Sequence, residues 1–272
     1  MWVFSIILDS FAIFAKKKYI MDELSELQTD YLNIFETIKP ILDDMHSHWS
    51  LYPEYLGWFD LGSPIFEQPD ILFVGINPGP GRFRLWNYKK PKESQKIPND
   101  FPTPWRSELH WTKVGVARDG KWYDKTSRQK NMFPNTLCEL LVRIYRPYFP
   151  LPEYPRERLT GIFQQRIMST NLFPMVTIDK SKLDKLLQKY KDLSKNHTDI
   201  TTLCISNFAK LIDLVSPKLV VLLGKTLEPK LKSIIEGKGI HYLCIDRTRG
   251  WHSKKRIADM ASEIRNLLPS LK

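Results

Sequence analysis

Asn77, Asn171 and His252 are the residues whose side chains offer chemistry together. Each follows a run read as a strand: Ile71 to Ile76 before Asn77, Arg166 to Thr170 before Asn171, and Ile240 to Asp246 shortly before His252. Two neutral amides and an imidazole are not a nucleophilic set, because no Ser or Cys with a positioned base accompanies them. They suit a site that orients a water molecule and reads the edge of a base through hydrogen bonds. The first of them sits in "GINPGP", Gly75 to Pro80, where glycine and proline impose a loop of fixed shape directly after a strand. In open α/β folds, ligands bind just past the carboxyl ends of strands.

The elements that must position these residues follow from hydrophobic spacing. Asp22 to Asp44 carries Leu24, Leu27, Tyr31, Leu32, Phe35, Ile38 and Leu42 at helical intervals, with a break expected near Pro40. Ile71 to Ile76, the run into Asn171, Lys218 to Lys225 and Ile240 to Asp246 read as four strands, and "KLVVLLGK" is apolar on both faces. Helical spacing recurs at Thr136 to Tyr145, Ser181 to Ser194, Thr201 to Val215 and Arg256 to Leu268. Strands alternating with helices predict an α/β fold: a three-layer sandwich whose central, mostly parallel four-stranded sheet is flanked by helices. Residues 1–20 form an apolar extension. Residues 21–272 form one domain, with a polar, aromatic and proline-rich insertion at about 84–132 and a hairpin around Asp119-Gly120.

Composition narrows the function classes. With 42% hydrophobic residues the chain has the apolar surface of a globular protein. Its 41 Lys and Arg against 30 Asp and Glu leave a net charge of +11, the balance expected of a protein that meets a polyanion, although solvated lysines alone produce such a surplus. Cys138, Cys204 and Cys244 lack any CxxC spacing, so neither a disulfide framework nor a cysteine metal site is expected, and a reducing cytoplasm fits. The stretch "MWVFSIILDSFAIFA" is interrupted by Asp9 and is shorter than the roughly 20 residues of a spanning helix, so no membrane partner is expected.

"GINPGP" resembles the first motif of the uracil-DNA glycosylase superfamily, closest to its mismatch-specific uracil/thymine and single-strand-selective monofunctional branches. "NLFPM", Asn171 to Met175, resembles the family strand end whose Asn reads uracil, and "LVVLLGK" resembles its third strand. The resemblance runs from about Ile71 to the C-terminus. It implies a monomeric, cofactor-free and metal-free hydrolase that excises uracil or 5-substituted uracil from single- or double-stranded DNA in base excision repair. Asn77 then positions the attacking water, and His252 donates toward the negative charge developing on the base. Asn171 reads the base edge, while Gly75, Ile76, Pro78 and Gly79 line the pocket. Phe83 is the nearest ring to stack on the base, with Trp86 and Phe101 as alternatives. Ser253, Lys254, Lys255 and Arg256 stand beside His252 to meet DNA phosphates. In the classical uracil glycosylases a Tyr at the position of Gly79 blocks the thymine methyl; glycine removes that wall. The loop Gly250-Trp251-His252-Ser253-Lys254 departs from the His-Pro-Ser pattern usual at the second catalytic motif.

Each of these residues also has a plainer role. Asn77 is a frequent turn residue, Asn171 a frequent cap, Phe83 a core ring and His252 a surface-loop histidine. At the level of the whole chain, the alternatives are a catalytically inactive nucleic-acid-binding module of the same fold, and a membrane-tethered or partner-binding protein that uses residues 1–20.

Overall fold

The computed structural model describes residues 22–31, 33–34, 55–58, 63, 65–77, 132–151, 161–177, 180–193, 199–247 and 251–268. Its centre is a four-stranded sheet of β2 (Ile71–Gly75), β3 (Ile167–Asn171), β5 (Leu219–Leu223) and β6 (His241–Ile245) in the order β3-β2-β5-β6. All three pairings are parallel. A separate antiparallel pair joins β1 (Tyr55–Trp58) to β4 (Met175–Thr177). The helices named among the described residues are α1 (22–31, with 33–34), α2 (Met132–Tyr145), α3 (Lys180–Leu193), α4 (Ile200–Val215), α5 (Glu228–Gly237) and α6 (Lys254–Leu267), with a short helical turn at 161–164.

Period-two alternation sends successive side chains of β2 into opposite layers. Ile71 and Phe73 join one apolar cluster with Leu137, Leu141 and Ile144 of α2 and Ile257, Met260 and Ile264 of α6. Leu72 and Val74 join the other, with Leu27 and Ile34 of α1, Leu183 of α3, Phe208 and Leu211 of α4 and Leu231 of α5. Burial on both faces is the reason that this strand and β5 read as unbroken apolar runs rather than alternating ones. Each such side chain contributes about 1.5–3 kcal/mol when fully removed from water. The result is a three-layer α/β sandwich.

Register is set at the amino-terminal edge of the sheet. Asp70, Arg166 and Lys218 are the residues immediately before β2, β3 and β5, and the buried Asp70 carboxylate accepts from Lys218 Nζ at 2.7 Å and Arg166 at 3.2 Å. The Tyr145 hydroxyl donates to the same carboxylate at 3.3 Å. Backbone bonds from Asp70 N to Arg166 O, 2.7 Å, and from Lys218 N to Pro69 O, 3.0 Å, tie the same three strand starts together. Because β2 and β3 are both five residues long and begin level, they also end level, with Gly75 opposite Asn171.

Among the described residues, a side chain meets the outer edge of β3 at Ser169: Ser63 Oγ accepts from Ser169 N at 2.9 Å and donates to Ser169 O. Such a contact occupies part of an open pairing surface. On the other face, Lys210 of α4 reaches Glu26 and Asp30 of α1 at 2.8 and 2.6 Å, which docks α1 through residues spaced one turn apart.

The helix and strand expectations differ from the structure in a few places. The helix α5 and the strands β1 and β4 are not legible in the sequence, where the stretch after Asn171 reads as a loop; α5 is ten residues long with only Leu231 and Ile235 buried, too sparse a stripe to stand out. The α1 expectation extends past the described residues, and the insertion with its Asp119-Gly120 hairpin lies outside them. Among the described residues, no helix is long and apolar enough to cross a membrane.

Candidate functional site

The chain goes from β2 through α2, on one face, to β3, and from there through α3 and α4, on the other face, to β5. Since β3 and β5 lie on opposite sides of β2, the connections diverge there, and a crevice at the carboxyl end of β2 is where such folds bind ligands. Gly75, Ile76 and Asn77 emerge at that point.

The exits of β2 and β3 are zipped together beyond the strands. Leu172 N donates to Gly75 O and Phe173 N to Ile76 O, both at 2.9 Å. Asn171 lays its side-chain carbonyl into the space that a β-carbon on Gly75 would fill, 2.3 Å from Oδ1. The Asn77 amide nitrogen donates to Met175 O at 3.1 Å, so the side chain spans from the β2 exit to the start of β4. With Nδ2 directed to Met175, the orientation of the amide is fixed and Oδ1 is its acceptor. Gly75, Ile76, Asn77 and Asn171 thus form one cluster on two adjacent strand ends.

His252 approaches from the other side of the same sheet edge, in the turn between β6 and α6. Its Nδ1 lies 2.6 Å from the hydroxyl of Thr136, a buried residue of α2. Trp251, also buried, packs against the imidazole with ring centroids 4.4 Å apart at 48°, and the Arg247 guanidinium lies 5.2 Å from the centre of the Trp251 ring. Burial, and then the positive charge of Arg247, hold the His252 imidazole below its ordinary pKa, which favours the neutral ring. The strand carrying Asn171 and the strand leading to His252 are separated by β2 and β5, roughly 14 Å at ordinary strand spacing. Between them lie the ends of those two strands. There Gly224 adopts a φ of +137°, open to glycine, and Lys225 pairs with Asp246 at 2.9 Å across the β5 and β6 exits.

Ser253 is the N-cap of α6, its Oγ accepting from Arg256 N at 3.2 Å. Lys254, Lys255 and Arg256 fill the first turn, which contains no acidic residue. Cations at a helix N-terminus oppose the macrodipole, so this sequence costs the helix stability while concentrating positive charge beside His252. Arg256 makes a long contact of 3.8 Å to Glu263; Lys254 and Lys255 are exposed.

Thr136, Trp251, Arg247 and Met175 were not singled out from the sequence. Thr136 reads there as the first residue of an amphipathic helix, and only tertiary packing, across 116 residues, brings it to His252. Pro78, Gly79, Phe83, Trp86 and Phe101 lie outside the described residues. Among the described residues, no group of three or more His, Cys, Asp or Glu is arranged to hold a metal ion. Cys204 is buried, and that burial, followed by the charge of Asp199, pushes its thiol up to about 12, far from a reactive thiolate.

No protein-family profile matches the chain, and no curated protein matches its sequence.

Proposed function

We propose that this protein is a monofunctional DNA glycosylase that hydrolyses the N-glycosidic bond of uracil or a 5-substituted uracil in DNA. The observation that carries the reading is the pair of neighbouring amides at the ends of β2 and β3, with Asn171 lying against Gly75 and Asn77 anchored to Met175, at the carboxyl edge of the sheet. A neutral imidazole held on the same edge and a cationic first turn of α6 add to it.

The chemistry follows from these groups. A base inside a duplex is out of reach, so the enzyme extrudes the nucleotide and binds the base in a pocket. Asn77 Oδ1 accepts from a water molecule and holds it toward C1′. As the C1′–N1 bond breaks, its electron pair leaves with the base, and His252 donates a hydrogen bond toward the oxygen where that charge collects. The water oxygen bonds to C1′, and its proton is released as the base anion is protonated. Asn171 selects uracil by offering both an amide donor and an amide acceptor to its edge. Lys254, Lys255 and Arg256 engage phosphates, with DNA the only partner required and the monomer the working unit.

A binding-only reading has one observation in its favour: the Asn77 to Met175 bond is also what a turn asparagine makes. Incubation with a uracil-containing oligonucleotide, followed by alkaline cleavage of abasic sites, separates the two. Strand breaks confined to the uracil position support the glycosylase; salt-sensitive DNA binding without breaks supports the module.

A further inference from the structure

We propose that Thr136 is a positioning residue for His252, its hydroxyl donating to Nδ1 and thereby locking the imidazole as the tautomer that carries its proton on Nε2. This inference rests on the reading of His252 as the donor to the departing base.

The relative basicity of the two groups argues for the direction of the bond. Thr136 Oγ1 and His252 Nδ1 lie 2.6 Å apart, a hydrogen bond that either group could donate by distance alone. An imidazole nitrogen is a far more basic acceptor than an alcohol oxygen, so O–H···N is the stronger arrangement of this pair. Thr136 is packed in the interior: it lies in α2 between Met132 and Tyr145 and is 4% exposed. The other degree of freedom of the ring, its tilt, is limited by the buried Trp251 indole at 4.4 Å.

The consequence is chemical. A neutral imidazole has one donor and one acceptor nitrogen, and which is which is decided by the partner of the other nitrogen. With Nδ1 accepting, Nε2–H is a permanent donor. The reverse tautomer would present a lone pair to a developing anion and repel it. The side chain of a helix after β2 thus sets the chemistry of a histidine after β6.

The test uses the full chain labelled with ¹⁵N-histidine. Long-range ¹H–¹⁵N spectra above the His252 pKa should show a pyridine-like Nδ1 and a pyrrole-like Nε2. Thr136→Val, which keeps the shape and removes the hydroxyl, should shift this signature toward a tautomer mixture and lower single-turnover uracil excision by up to about tenfold, the scale of one hydrogen bond. Thr136→Ser should restore both. A protonated Nδ1 in the parent, or an unchanged signature in Thr136→Val, overturns the assignment. The parent spectrum decides even if the valine variant does not fold. Absence of uracil excision by the parent would defeat the glycosylase reading, while the tautomer measurement still judges Thr136.

Discussion

A methyl group on Gly75 would lie 2.3 Å from Oδ1 of Asn171, well inside van der Waals contact. Gly75 is therefore the residue whose missing side chain makes room for the amide on the neighbouring strand. The atom met is the tip of a side chain rather than backbone, so Gly75→Ala should displace Asn171 without unfolding the sheet. We expect stability within about 1 kcal/mol of the parent, since alanine is intrinsically easier to order than glycine by a similar amount. Uracil excision should fall well over tenfold. Denaturant unfolding and single-turnover excision measured on the same preparation check both halves; a fully active Gly75→Ala would mean that the amide works equally well elsewhere.

Asn171→Asp tests what that amide reads. A carboxylate keeps the acceptor and loses the donor, so uracil excision should drop by a factor above ten, with any residual cytosine activity improving toward lower pH as a proton becomes available to the pair. Excision from uracil, cytosine and thymine oligonucleotides across roughly pH 5.5 to 8, flanking the ordinary histidine value, is the measurement. Uracil excision at the parental rate would place base reading elsewhere.

Asn77→Ala tests two interactions of different kinds. Losing the bond to Met175 O should cost about 1 kcal/mol of stability, the usual net worth of a neutral hydrogen bond. Losing the acceptor for the attacking water should lower the excision rate by orders of magnitude, while DNA binding stays within a few fold, because that interaction matures in the transition state. If binding and excision fall together, Asn77 holds the turn and does no more.

The pH behaviour of His252 follows from its depressed pKa. A group whose folded-state pKa lies below its unfolded value stabilises the fold fully above the unfolded value, near 6.5, and loses that contribution as pH falls through the folded one. Burial is the larger cause and Arg247 the second, so Arg247→Gln should raise the His252 pKa part of the way back. Titration of the His252 ring by NMR should show this rise, and thermal unfolding below pH 6.5 should become less pH-sensitive in the variant. An unchanged titration would show that Arg247 does not act on the ring.

Asp70 offers a control at the opposite edge of the sheet. Its carboxylate is 6% exposed, whereas Lys218 and Arg166 are 39% and 34% exposed and regain water when it is removed. Tyr145 is buried and loses the acceptor at 3.3 Å. Asp70→Ala should therefore destabilise by about 1–3 kcal/mol, the penalty for a stranded buried hydroxyl, rather than the larger cost of a stranded buried charge. Excision below the melting transition should be retained, as measured by excision assays at 10–15 °C below Tm.

The sequence by itself determined the layered α/β fold and the strands that carry the candidate residues. Ile71 to Val74 and Leu219 to Leu223 are apolar at every position, and such runs are stable only between two covering layers. The helices expected over 201–215 and 256–268 announce themselves by one apolar stripe each, whereas their caps, Asp199 and Ser253, are assigned only by the structure. What only the tertiary structure decided are the relationships between residues far apart in the chain. Strand order put Gly75 beside Asn171, and the ion cluster at Asp70 set the register that aligns them. Packing of α2 against α6 brought Thr136 to His252. Local spacing encodes which face of an element is apolar, but a hydrogen bond between elements depends on how those faces dock, and no periodicity within either element carries that information.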